Sequence, residues 1–454
     1  MAYPTYPDYI ASEADWLGML PSHWKVRRLR FAGLEPLKYG ANEAADLEDT
    51  ELPRYIRITD VNANGSLNSD TFRSLTEEVA APYLLEEGDI LLARSGATVG
   101  KSFQYSISWG KAAYAGYLIR FRPDKTTIHP RYAYYYFQTG CYWACINSTL
   151  IQATIQNFSA EKYNDLKFPL PSSEEQKQIA EFLDYKTAQI DALIAKKEEL
   201  IEKLKEQRIA VITQAVTKGL DSDAPMRDSG VEWLGQVPEH WKDIRLRFLC
   251  DKIEQGWSPQ CLNEPAEEDN WGVVKVGCVN GDRFDASENK ALPSDLEPKP
   301  QYELKPNDIL ISRANTRELL GSAAIVPSDV RQKLLLCDKI FRLTTTDVIR
   351  EDYLTSYLRT PAARYQYERE ATGSSGSMQN IGQGTIKNLI VLLPPLEEQQ
   401  EISSHISHSI SQLDARRDKV ECAIARLSEY RTALITAATT GKIDVRGANL
   451  DRAN

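Results

Sequence analysis

The chain has 454 residues, 42% of them hydrophobic and 26% charged, and carries a net charge of −10. That length holds about two to four domains, and the composition is that of an ordinary globular chain able to bury a core. The negative charge argues against a protein that coats nucleic acid without selection, although an average over all faces leaves room for a local basic groove.

The opening stretch, MAYPTYPDYIASEADW, has neither a basic n-region nor an apolar h-region. No apolar run approaches the roughly 18 residues that span a bilayer, so a soluble, unexported, cytoplasmic chain without membrane partners is expected. Cys141, Cys145, Cys250, Cys261, Cys278, Cys337 and Cys422 are scattered and form no CxxC pair, which points to reduced thiols and to neither a disulfide framework nor a zinc site.

Residues 15 to 31, DWLGMLPSHWKVRRLRF, return at 232 to 248 as EWLGQVPEHWKDIRLRF, with 11 of 17 positions identical at an offset of 217. The tryptophans of His23-Trp24 and His240-Trp241 in these openings are expected to be buried anchors at the junction of globular domain and helix. LPSSEEQKQI at Leu170 returns as LPPLEEQQEI at Leu393, at an offset of 223. The order is A-B-A-B with a repeat near half the chain, a duplicated domain pair rather than a solenoid of repeats some 20 to 50 residues long.

Between these landmarks, residues 25 to 160 show short β-like runs separated by turn residues: YIRIT, the NANG turn from Asn62 to Gly65, DILLAR and YLIRF. This predicts an α+β domain. RYAYYYFQTG predicts a helix that packs an aromatic face on the core. From Ser172 some forty residues follow without Pro or Gly, with Ile179, Leu183, Ile190, Leu193, Leu200, Leu204 and Val211 at coiled-coil spacing. Ser172 or Ser173 supplies the N-cap and Gly219 the stop. At the constant offset of 223 the second helix repeats the first: Ile179 maps to Ile402, Asp191 to Asp414 and Arg208 to Arg431. Each apolar stripe needs a partner, and the other copy's helix supplies one in an antiparallel pair.

Charge is unevenly placed. Arg94, Lys101, Lys111, Arg120, Arg122, Lys125 and Arg131 stand against a single acid, Asp124, and the equivalent part of the second copy carries Arg313, Arg317, Arg331, Lys333, Lys339 and Arg342 against three acids. Repetition of the excess favours a phosphate-contacting surface over a merely solvated face. SGATVGKS at 95 to 102 looks like a phosphate-binding loop, but Gly96 to Gly100 encloses three residues where that loop requires four, and strand-like sequence follows it. His405 and His408 have no third ligand nearby, so no metal and no cofactor is expected.

Taken together, the paired openings ending in LPSHW and VPEHW, the paired (G/N)DIL(L/I)xR segments at 88–94 and 307–313, the paired PxxxEEQ helix entries and the terminal AATTGKIDVRG resemble the specificity subunit of type I restriction-modification enzymes. The resemblance covers nearly the whole chain. It implies an α+β fold with two globular α/β target recognition domains, separated by two long helices in an antiparallel coiled coil, as a pseudo-two-fold tandem repeat. The boundaries expected are 1–160 and 221–383 for the recognition domains, 161–220 for the first helix, and 384–454 for the second helix and tail. It further implies that each domain reads one half of a bipartite double-stranded DNA site with a fixed spacer. Two modification (methyltransferase) subunits and the restriction subunits of the same system would be partners, and the chain would have no catalysis of its own. Neither an NPPY-like tetrapeptide nor an FxGxG loop is present. The alternatives are a self-contained methyltransferase or nuclease and a coiled-coil scaffold for protein partners.

Base-edge readout calls for Arg or Lys against guanine and Asn or Gln against adenine. The expected DNA-binding residues after the DIL strand are Arg94, Ser95, Thr98 and Lys101 in one copy, and Arg313, Asn315, Thr316 and Arg317 in the other. Ahead of the helices they are Thr154, Gln156 and Asn157, matched by Ser377, Gln379 and Asn380; the shared QN dipeptide has a structural alternative, hydrogen-bonding a turn. Ser374 and Ser375 lie in a flexible polar stretch, and Arg57 and Lys275 at equivalent strand positions are candidate phosphate contacts.

Overall fold

A computed structural model describes residues 3–62, 65–151, 157–281, 283–373 and 378–448. The chain forms two compact units, Met1–Glu199 with Val420–Asn454, and Leu200–Lys419. Two helices, Ser173–Lys218 and Leu396–Thr439, contribute to both units. Each is about 65–70 Å long at the α-helical rise of ~1.5 Å per residue.

The first unit is built on a four-stranded antiparallel sheet in the order Lys38–Tyr39, Leu118–Phe121, Ile90–Ala93, Ser102–Gln104. Successive residues of a strand face opposite sides, and here both sides are covered. Ile90 and Leu92 enter one hydrophobic core with Ile119, Phe121 and the long helix; Leu91 and Ala93 enter another with Phe103, Tyr105 and Tyr114. That is why DILLAR is a continuous apolar run rather than an alternating one. A short parallel pair, Arg54–Ile56 with Ala112–Tyr114, flanks the second core. Helix Pro130–Tyr136 buries Tyr132, Tyr135 and Tyr136, as its aromatic face predicted.

The second unit repeats the plan. Cys250–Gln255, Ile340–Thr345, Ile309–Ser312 and Ala323–Ile325 form the same strand order. Ile309 and Ile311 face one core and Leu310 the other. Leu91 pairs with Arg120 as Leu310 pairs with Arg342, so the registers agree as well.

The repeated helix entry has a physical cause. Gln176 is buried; its Oε1 accepts from the His129 N–H, and its Nε2 donates to Thr127 O and Pro171 O. Gln399 makes the same three bonds with Arg350, Val348 and Pro394. Glu175 closes a capping box with Ser172, and its Oε1 also accepts from His23 and from the Trp24 indole. Burial alone would raise the Glu175 carboxyl, but bonds from His23, Ser172 and Trp24 hold it below its ordinary value. Trp24 and Trp241 are buried anchors beside the helices, as expected. Gly219 takes φ +79° as it ends the first helix.

Within each unit the two helix portions run antiparallel. In the first, Asp191 faces Arg431, and Glu175 at the start of one helix lies by Arg446, a few residues past the end of the other; in the second, Arg208 faces Asp414 and Gly219 lies beside Glu398. Residues related by 223 are buried alike: Ile179 and Ile402, Leu183 and Ile406, Ile190 and Leu413, Ile212 and Ile435. The expected stripe needs one correction, because Leu193 and Leu200 are 44% and 43% exposed. The apolar line turns to Ile190 and Ile194, both packed in the first core, and a strict coiled-coil repeat does not hold through the middle of the helix.

Candidate nucleic-acid interface

At the end of strand Ile90–Ala93 three segments meet on one arginine. The Arg94 N–H donates to Tyr117 O at 3.0 Å, the Phe158 N–H donates to Arg94 O at 2.8 Å, and Ser95 bridges to Asn157. In the second unit the Arg313 N–H donates to Lys339 O at 2.9 Å, the Ile381 N–H donates to Arg313 O at 2.9 Å, and Ala314–Asn315 pairs with Gln379–Asn380. The two loops singled out in each copy therefore sit side by side, joined by backbone bonds. Asn157 and Asn380 hold equivalent ladder positions, which gives the asparagine of the shared QN dipeptide a backbone role.

The side chains on this common frame differ. The Arg94 guanidinium carbon stands 4.7 Å from the Tyr39 ring centroid, and Arg313 donates to Asp338 O at 3.1 Å; the Nε of each is buried without a hydrogen-bond partner among the described residues. Gly96–Thr98 forms a short 3-10 turn with φ +74° at Gly96. Lys101 is exposed, and Ser95 and Thr98 are half-buried. Strand Ser102–Gln104 follows, so this loop opens no helix and lacks the helix N-terminus a nucleotide phosphate loop uses.

In the second unit the equivalent loop is braced. Ser312 Oγ donates to Leu319 O, and the Arg364 guanidinium donates to the carbonyls of Arg317 and Glu318. Asn315 is buried, and its amide is spent on Asn280 and Leu319. Thr316 donates its backbone N–H to Asn315 Oδ1, while Arg317 is 65% exposed and 3.7 Å from Glu368.

Other candidates fall elsewhere. Arg57 is held by Asp60 at 2.8 Å and by Thr71 O, and Lys275 by Glu288 at 3.1 Å. Thr154, Gln156, Ser374, Ser375 and Ser377 lie outside the described residues, as do two residues of the NANG turn.

Part of the basic excess is internal. Arg120 and Arg342, opposite the same leucine of each central strand, are buried: Arg120 pairs with Glu35, and Arg342 with Glu254 at 2.8 Å and Asp308 at 3.4 Å. Arg122 is held by Asp89 and Glu86, and Arg131 by Asp184. Glu35 and Glu254 feel burial pushing them up, yet the neighbouring Lys and Arg groups hold both below their ordinary value. Asp308 goes the other way, because burial outweighs Arg342 and the backbone N–H of Lys305.

The place of one segment beside these arginines was not legible in the sequence. The turns Ala115–Leu118 and Cys337–Ile340 supply the third partner of each arginine, and their residues Tyr117 and Lys339 are both exposed. Gly40 and Gly256 mark the equivalence, since a Cβ at either would come 2.2 or 2.1 Å from the carbonyl oxygen of Tyr114 or Leu336. Among the described residues no group of His, Cys, Asp and Glu is placed to hold a metal, and no helix is long and apolar enough to cross a membrane.

The type I restriction modification DNA specificity domain matches residues 39–203 and again 238–421, well over half of the chain and once in each copy. The specificity subunit of the type I restriction enzyme EcoKI from Escherichia coli K12 is 25% identical over 442 residues, covering 94% of this chain and 90% of that protein. The putative MjaX specificity subunit of Methanocaldococcus jannaschii is 25% identical, covering 95% and 96%. The match to the EcoEI specificity subunit of E. coli, at 28%, spans only 40% of that protein. A chain from a structure addressing assembly and conformational transition of the type I R-M system shares the fold, with a TM-score of 0.67 at 17% identity over 92% of this chain and 98% of its own. The chain belongs to the type I restriction-modification DNA specificity family. Its place there is that of a specificity subunit, the non-catalytic component concerned with DNA recognition.

Proposed function

We propose that each unit reads one half of a bipartite double-stranded DNA site separated by a fixed non-specific spacer. The recognition domains comprise 1–160 and 221–383, and the helical segments 161–220 and 384–454 dock two modification subunits and, through the complex, the restriction subunits. One observation carries this reading: the same three segments converge on Arg94 and on Arg313 through the same backbone bonds, while the side chains they present differ. A constant frame with variable side chains is what recognition of two different half-sites requires. Arg94, Lys101, Arg313, Arg317, Gln379 and Asn380 are the base and phosphate contacts favoured by their position on this frame. Arg57, Lys275 and Asn315, whose side chains are already engaged within their own units, brace the fold rather than contact DNA.

The test is a gel shift of the chain assembled with its modification subunits, repeated across salt concentrations. Binding that weakens steeply with salt is expected, because phosphate contacts release counterions. Salt-independent association, or methyl transfer by the purified chain alone, would contradict the reading.

A further inference from the structure

The turn that ends in Tyr117-Leu118 in one unit and Lys339-Ile340 in the other carries a chemical difference on a repeated backbone frame. In the first unit the Leu118 N–H donates to Ala115 O at 2.9 Å and closes the turn, and Gly116 N–H donates to Ala41 O. In the second the Ile340 N–H donates to Cys337 O at 3.4 Å, and Asp338 carries bonds to Ser258 and to Arg313. The backbone of the third turn residue is thus pinned in both units by the arginine that organises the frame. Its side chain is not: Tyr117 is 70% exposed and makes no ring contact among the described residues, and Lys339 is exposed as well. A pinned backbone holding an exposed aromatic ring presents that ring at little further ordering cost to whatever approaches the frame.

We infer that this turn position determines the contact chemistry of each half-site: Tyr117 reads the first by apolar contact with base edges in the groove, and Lys339 reads the second by charge. The inference rests on the reading that each unit binds one half of the DNA site. An apolar contact to a base edge, such as a thymine methyl, discriminates sequence without releasing a counterion. An ammonium on a phosphate or base acceptor adds to the electrostatic term. The two half-sites are therefore bound by the same backbone with different physics.

The experiment uses the chain assembled with its modification subunits and three duplexes: the recognition sequence, as defined by sequencing methylated sites in a host, and the same duplex altered in either half. Tyr117→Ala is expected to reduce discrimination against an altered first half by roughly tenfold, in line with the usual cost of one mismatched pair. Discrimination in the second half and the salt slope should not move, and Tyr117→Phe should retain most of the wild-type behaviour. Lys339→Ala is expected to lower the salt slope by about one. If Tyr117→Ala leaves first-half discrimination intact while Arg94→Ala or Lys101→Ala removes it, the inference is overturned and the half-site reading stands. If none of the three substitutions changes it, both are overturned.

Discussion

In the first unit Arg120 shares Glu35 with a second arginine, since Arg122, which holds Asp89, comes within 3.7 Å of the same carboxylate. In the second unit Arg342 reaches both Glu254 and Asp308 and also donates to the carbonyls of Glu303 and Gln301. The two units thus solve one problem, how to bury acids beneath a sheet, with different redundancy. Duplication has kept backbone, register and the aspartate ahead of the DIL strand, Asp89 and Asp308, and has let the side-chain network drift.

The comparison is broken most forcefully at these arginines. Arg342→Ala removes a buried guanidinium from the half-buried Glu254 and Asp308 and should cost about 3 kcal/mol, near the low end of the penalty for stranding one member of a buried pair. Arg120→Ala should cost less, because Arg122 remains. Urea unfolding of the full chain, with hydrogen exchange read separately for each unit, would check the order, and equal losses would contradict it. Gly40→Ala and Gly256→Ala test what the units share: each should destabilise its own unit by about 1–3 kcal/mol through overpacking against a backbone carbonyl, and one tolerated without loss would mean that the turns are not equivalent. Smaller again are the helix pairs. Arg208 and Asp414 are 14% and 27% exposed, Arg431 and Asp191 27% and 45%. Double-mutant cycles should give about 1 kcal/mol or less for each, with the more buried pair stronger.

Acid gives the mildest contrast. Glu35, Glu175 and Glu254 have carboxyls held below their ordinary value, so their stabilisation is full above the unfolded value of about 4.3 and is lost as pH falls through the lower folded value. Asp308, raised by burial, has the opposite sign: its charged form costs stability, and that cost is relieved as pH falls through its folded value. Exchange protection between pH 5 and 3 should therefore fall more in the first unit than in the second. Parallel decline in both would show that Asp308 does not offset the loss.

Much of this was legible in the sequence because it was written twice. The EEQ helix entry, the tryptophan anchors and the helix register at an offset of 223 all correspond to bonds or burial repeated in each unit. The loops after the DIL strands and ahead of the helices were found because backbone pairing preserves their flanks. Other features were not legible. Arginine is the same letter whether it lies under a sheet, as Arg120 and Arg342 do, or faces water, as Arg317 does, so a count of basic residues overstated the free positive surface. Tyr117 and Lys339 differ in residue type, and although each stands three residues ahead of a buried strand arginine, only the hydrogen bonds to Arg94 and Arg313 place them beside the candidate loops. Leu193 and Leu200 fitted a heptad on paper, but an α-helix drifts from a strict seven-residue repeat, and both ended exposed.

The central claim, two independent readers on one repeated frame, is tested most directly by exchanging residues 25–160 for the corresponding segment of a relative with a different recognition sequence, then sequencing methylated sites in a host that carries the modification subunits. The account predicts that one half of the bipartite site changes to the donor's while the other half is retained. A change in both halves, or in neither, would contradict it.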